Sequence, residues 1–142
     1  MIQLSERLMA MEESATIAMS RKSRELKAQG KDVISLSLGE PDFNTPQFIK
    51  DAATKAMDDN FTKYMPVPGY DDLRESISKK FKRDNNVHYD TDQIVVSTGA
   101  KQSIANVVLT LVNPGDEVII PAPYWVSYIE IVKVAGGVPV MV

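Results

Sequence analysis

Apolar residues recur along this chain in two periods, and the change between them marks a change in organisation. Residues 33–38, Val-Ile-Ser-Leu-Ser-Leu, alternate at period two and read as a strand with one buried face. Residues 46–57 instead carry Ile49, Ala52, Ala53, Ala56 and Met57 on one helical stripe. Thr45 as N-cap and Pro46 at the first helical position open that helix. A helix over residues 14–30 precedes the first strand, with Ser14 as its cap and Gly30 at the left-handed position past its end. A further helix spans 70–83, with Leu73, Ile77 and Phe81 on one face and Asp71 and Asp72 at the positive end of its dipole. Between them lies a loop, 61–69, with two prolines and a glycine.

From residue 90 onward the strands become continuously apolar. Residues 94–96 form a short strand, 99–112 a helix, 113–116 a turn, 117–121 a second strand and 124–135 a second helix closed by Gly136-Gly137. Residues 138–142 form a third strand. Apolar strands alternating with helices are βαβαβ units, so the expectation is an α/β fold with a mostly parallel sheet covered on both faces.

Composition narrows the class. With 142 residues, 44% hydrophobic and 25% charged, the chain has the size and content of one globular domain. A net charge of -3 implies no basic face and argues against nucleic acid as the main partner. Lys79, Lys80, Lys82 and Arg83 read as a solvated helix face. The absence of cysteine excludes disulfides, zinc-cysteine sites and thiol nucleophiles. No metal site is expected. The first seven residues do not read as a secretory signal, and no apolar run is long enough to cross a membrane, so the expected location is the cytoplasm. Residues 1–13 read either as an arm that packs on a partner or as a frayed terminus. Residues 137–142 read as a strand that stops without a turn or cap, which we take as a sign of truncation.

Three segments have the residue types for chemistry. In Thr98-Gly99-Ala100-Lys101-Gln102 a strand gives way through small residues to a helix. The first amides of a helix have no internal partner, and small residues let an anion approach them. Lys101 in that first turn opposes the helix dipole unless an anion is bound. The alternative is an ordinary strand-to-helix turn with an exposed lysine. Pro123-Tyr124-Trp125 follows the next strand, at the end where open α/β sheets take ligands, and the chain's one tryptophan there either stacks on a planar ring or packs in a core or interface. Gly39-Glu40-Pro41-Asp42 offers close backbone approach at Gly39, and Glu40 and Asp42 read either as paired acids or as loop-shaping and capping residues. Tyr64 either presents a hydroxyl or is packed, and His88 reads as a surface residue.

Taken in order, Leu38-Gly39-Glu40-Pro41-Asp42-Phe43, Thr62-Lys63-Tyr64, Pro68-Gly69, Leu73-Arg74, Thr98 to Gln102, Asn113-Pro114-Gly115-Asp116-Glu117-Val118 and Pro123 to Tyr128 resemble the class I, fold type I aminotransferases that use pyridoxal 5'-phosphate, above all the bacterial aspartate aminotransferase subgroup. The resemblance runs from about residue 5 to the end. It implies the start of the pyridoxal-phosphate-dependent transferase fold. Residues 1–45 would form an N-terminal arm and part of a small domain, and 46–142 the N-terminal part of the large cofactor-binding domain. It also implies roles: Gly99, Ala100 and Lys101 around the cofactor phosphate; Trp125 on the pyridine ring and the substrate; Gly39 giving its N–H to the substrate carboxylate; Tyr64 reaching the neighbour's phosphate across a homodimer interface. The peptide Ala122-Pro123 matches a position that is often cis. The implied reaction moves an amino group between an L-amino acid, aspartate above all, and a 2-oxo acid. The lysine that holds the cofactor covalently falls beyond position 142, so no catalytic residue is assigned and the chain alone is expected to be inactive. Relatives that accept prephenate carry a lysine near position 12, where this chain has Glu12. The competing readings are a non-catalytic fragment or binding module, and another fold type I enzyme such as a carbon–sulfur lyase or a synthase.

Overall fold

The computed structural model describes residues 4–142 and is α/β, with six α-helices and one parallel strand pair among them. The expectations for the opening residues fall partly on 1–3, which lie outside the described residues. The chain forms two compact units, one of residues 4–40 with 98–142 and one of 41–97.

The first unit holds α1 (Glu6–Met9), α2 (Ala15–Ala28), α5 (Ala100–Leu111), β1 (Glu117–Ile120), α6 (Ser127–Val134) and β2 (Val138–Met141). β1 and β2 are joined through α6 and pair in parallel, with Glu117 opposite Val138 and Ile120 opposite Met141. The ladder continues past both ends: Val138 N–H donates to Asp116 O at 2.8 Å and Ala122 N–H to Val142 O at 2.7 Å. Ile120 and Val132, 5% and 2% exposed, are its buried apolar centre. Gly137 lets this centre close, because a Cβ there would lie 2.7 Å from Val112 Cγ1 and 3.0 Å from Val132 Cγ1. The turn at 113–116 is held by the Asp116 carboxylate, which accepts the Asn113 N–H at 2.7 Å. α2 ends as expected with Gly30 at φ 77°. Ser14 stands at its start but makes no capping bond; instead Arg21 donates two hydrogen bonds to the Glu13 carboxylate.

The second unit holds α3 (Gln47–Asp58), α4 (Asp71–Lys80), a π-helical turn (Phe81–Asn85) and a 3-10 turn (Thr91–Gln93). Its buried centre is Ile94, 7% exposed. Phe61 meets Tyr70 edge-on at 5.7 Å, and Phe81 meets Tyr89 at 6.0 Å. The helix expected over 70–83 is α4 extended by the π turn, which ends at Asn86 with φ 53°, a conformation asparagine tolerates. Arg74, largely covered, ties α4 to the following turn by donating to Thr91 O at 2.7 Å and pairing with Asp71. The basic cluster lies on the surface, with Lys79 paired to Glu75 at 3.0 Å and Lys80 to Asp84 at 3.1 Å.

Several expectations are corrected. Residues 33–38 form no strand: the segment is irregular, and Ile34 and Leu36 are 85% and 91% exposed. Residues 94–96 form none either; their one outside backbone bond runs from Val96 N–H to Pro68 O at 2.9 Å. Both have strand-like patterns, but a strand exists only with a hydrogen-bonded neighbour, and none of the described residues supplies one. The helix expected at Thr45-Pro46 starts one residue later, with Pro46 as the last non-helical residue and Thr45 making no cap. The helix expected from 124 starts at Ser127, because Trp125 O accepts the Tyr128 N–H and helical bonding begins only there. No described helix is long and apolar enough to cross a membrane.

Candidate functional site

The start of α5 is built by Gly99. Its φ of 87° and ψ of 161° lie where only glycine is at ease, and this turn swings the chain into the helix. Gly99 O then accepts the N–H groups of Gln102 at 3.1 Å and Ser103 at 3.3 Å. Among the described residues, the amides of Gly99, Ala100 and Lys101 have no partner. A Cβ on Gly99 would meet nothing within 4 Å, so the approach to these amides is open from that side. Three orphan donors at the positive end of a twelve-residue helix favour an anion there.

Trp125 comes from the loop leaving β1, three residues beyond Ala122, whose bond to Pro123 is cis. Trp125 is half-exposed, and Lys101 Nζ lies 5.7 Å from its ring centroid, in cation–π range. Lys101 and Trp125, read separately from two sequence segments, are therefore brought together, and Lys101 carries Gly99 and Ala100 with it. A group with an anionic end and a flat ring has partners of both kinds here. On that donor set the residues fit a phosphorylated pyridine cofactor.

The remaining sequence-derived residues are not gathered. Gly39 lies in an exposed irregular segment with nothing within 4 Å of where its Cβ would stand. Tyr64 belongs to the other unit and is 108% exposed, so its ring is not packed within that unit. Glu40 and Asp42 are exposed, and His88 is a surface residue whose Nε2 stands 3.2 Å from Asp90 Oδ1.

Two features escaped the sequence reading. Gln102 folds its side chain back so that Oε1 accepts the Thr98 N–H. It stands in a quoted motif, but nothing in a spacing pattern announces a side-chain-to-backbone bond. The second is a cavity of about 340 Å³ beside the N-terminal segment, lined by Met11, Ile17, Ala105 and Ile131, with Lys101 and Glu130 among its polar groups. Glu130 accepts the Glu12 N–H at 3.2 Å and pairs with Lys133 at 2.9 Å. The Lys133 hydrogen bond, helped by the Glu12 amide, holds the Glu130 carboxyl below its ordinary pKa. A Glu-Lys pair three apart on a helix was the available signal.

The chain belongs to the aminotransferase class I and II family, which it matches over residues 31–142. It is 55% identical over 137 residues to a probable aspartate/prephenate aminotransferase of Rickettsia bellii (strain RML369-C), covering 96% of this chain and 34% of that protein. It is 52% identical over 141 residues to the aspartate aminotransferase of Bacillus subtilis (strain 168), covering 99% of this chain and 36% of that one. The fold is that of solved aspartate aminotransferases. The Thermus thermophilus enzyme with maleate superposes with a TM-score of 0.93 at 45% identity over 99% of this chain and 37% of its own. The Rhizobium meliloti enzyme gives 0.93 at 41% identity over 99% and 35%. The chain thus spans about a third of the length of the curated relatives it matches.

Proposed function

We propose that the protein carrying this chain is a pyridoxal-phosphate-dependent aminotransferase that moves an amino group between L-aspartate and a 2-oxo acid. The observation that carries this reading is the meeting of unpartnered amides at Gly99, Ala100 and Lys101 with the exposed indole of Trp125, 5.7 Å from the Lys101 ammonium. Pyridoxal phosphate supplies an electron sink for the bonds at the amino acid's Cα. The residues of this chain bind and orient it. The three amides and Lys101 hold the phosphate, and Trp125 covers one ring face. Gly39 offers its N–H to the substrate carboxylate, and Tyr64 reaches the phosphate of a second copy, which makes the protein a homodimer. The covalent lysine is assigned to no residue of this chain. In this reading residues 1–45 belong to an arm and small domain, 46–142 to the large domain, and the protein works in the cytoplasm.

Aspartate is supported by two relatives, the Bacillus subtilis aspartate aminotransferase and a Thermus thermophilus aspartate aminotransferase solved with maleate, a four-carbon dicarboxylate like aspartate's skeleton. Prephenate enters through the Rickettsia bellii relative, a probable aspartate/prephenate aminotransferase, but Glu12 argues against it as a main acceptor. The test is amino transfer by the full-length protein from aspartate to 2-oxoglutarate, with prephenate as a second acceptor. Absence of transfer with release of sulfide or another elimination product would favour a lyase of the same fold. Trp125→Ala should weaken pyridoxal phosphate binding by about 1–2 kcal/mol if the indole stacks on the ring. Unchanged affinity removes Trp125 from the site.

A further inference from the structure

We propose that Gln102 is a positioning residue that aims the amides of the α5 turn at an anion, an inference that rests on reading this turn as the phosphate site. Gln102 holds both ends of one dipeptide. Its side-chain Oε1 accepts the Thr98 N–H, and its own N–H donates to Gly99 O at 3.1 Å. Between those anchors stands Gly99, at φ 87°, with nothing within 4 Å of where a Cβ would be. A glycine without side chain or packing neighbours is the freest point of the chain, and losing that freedom carries the largest backbone entropy cost of any residue. Packing does not fix this peptide; hydrogen bonds do, two of them from Gln102, with the Ser103 N–H also on Gly99 O at 3.3 Å.

The same bonds set which amides are offered. Were the Thr98 N–H unpartnered, the turn would present four free donors. With Thr98 satisfied by Gln102, the donors left are those of Gly99, Ala100 and Lys101. A neutral amide oxygen suits this task. A carboxylate would accept the Thr98 N–H as well but would stand as a like charge beside the bound anion.

The experiment uses the full-length protein with Gln102→Met, which keeps the length and loses the strong acceptor, and Gln102→Glu, which keeps the acceptor and adds charge. Affinities for pyridoxal phosphate and for pyridoxal, which has no phosphate, are measured by absorbance titration, and hydrogen exchange of the 96–101 segment by mass spectrometry. In Gln102→Met the exchange at Thr98 should quicken. Its pyridoxal phosphate affinity should fall about three- to tenfold, the loss of one hydrogen bond, with pyridoxal affinity unchanged. In Gln102→Glu the Thr98 protection should persist while pyridoxal phosphate binding weakens. Equal loss for both ligands in Gln102→Met would mean a general structural role and overturn the proposal, as would retained phosphate preference. If Gln102→Met does not fold, slow Thr98 exchange with undiminished pyridoxal phosphate affinity in Gln102→Glu overturns it. Equal affinity for the two ligands in the unsubstituted protein sinks the phosphate reading itself, and this inference with it.

Discussion

Gly69→Ala tests whether the loop at 61–69 is locked onto the segment at 94–96 by close approach of the backbone. Gly69 has φ 102°, and a Cβ there would lie 2.7 Å from Val96 Cγ2 and 3.0 Å from Val96 Cβ. The loop cannot slide away freely, because Gly69 N–H donates to Pro66 O and Val96 N–H to Pro68 O, both at 2.9 Å. A left-handed backbone costs an L-residue roughly 1–2 kcal/mol, and an inserted methyl in a tight site costs about 1–3 kcal/mol. The substitution should therefore destabilise by about 2–5 kcal/mol, out of the roughly 5–15 kcal/mol that holds a typical domain together. Two other glycines separate the contributions. Gly30 has φ 77° and nothing within 4 Å, so Gly30→Ala should cost only the backbone share, about 1–2 kcal/mol. Gly39 has open space and no positive φ, so Gly39→Ala should stay within about 0.5 kcal/mol. Urea unfolding of the full-length protein, read as midpoint shifts at constant slope, measures all three. Adding Val96→Ala to Gly69→Ala should recover part of the loss. A Gly69→Ala protein as stable as the parent, or a double variant whose cost is the simple sum of the singles, refutes the close-approach argument.

Two titrations and their variants follow from the ion pairs. Hydrogen bonds from Arg83 and then Lys80 lower the Asp84 carboxyl to about 2. A depressed folded-state value means the pairing is intact above the ordinary carboxylate pKa and lost as pH falls through about 2. Carboxylate NMR should report that midpoint and an upward return in Arg83→Gln; an Asp84 midpoint near its ordinary value rejects the pairing. Glu130 is likewise held low, by Lys133 first, so its grip on the Glu12 amide should survive to a pH lower than an unpaired glutamate would allow. Glu130→Ala should quicken hydrogen exchange at residues 10–14 at neutral pH; unchanged exchange there would show that the N-terminal segment is held by something else.

The sequence was legible where a property is local and illegible where it is shared. Helices 15–28, 47–58 and 100–111 were readable because a helix satisfies its own backbone, so stripe and terminator suffice. Gly30, expected at a left-handed helix end, has φ 77° for the same local reason. Residues 33–38 and 94–96 have equally good period-two or apolar patterns and form no strand, because their hydrogen bonds need a neighbour that a pattern cannot name. Glu117–Ile120 and Val138–Met141 did become strands because each has the other, brought alongside by the intervening helix. Ser14 and Thr45 failed as caps for a related reason: a hydroxyl at the right position is an offer, and the backbone geometry at residues 14 and 46 does not take it up.

The candidate site divides along the same line. Thr98 to Lys101 announces itself because the donors belong to the backbone, and any chain that enters a helix through glycine exposes them. That Lys101 should stand over Trp125, twenty-four positions later, follows only from the crossover that lays α5 beside α6, and Gln102's bond to Thr98 from a rotamer. Tyr64 goes further still. The sequence leaves it either packed or presented, and full exposure in a loop where Val67 is also 95% exposed removes packing within its own unit. A tyrosine and a valine held out together cost apolar hydration unless another surface covers them. The proposal that Tyr64 works across a homodimer names a second copy as that surface. In a dimer of the full-length protein the ring should become protected from solvent, and Tyr64→Phe should weaken pyridoxal phosphate binding without changing the dimer. A Tyr64 ring equally exposed in monomer and dimer leaves the hydroxyl without a phosphate to reach.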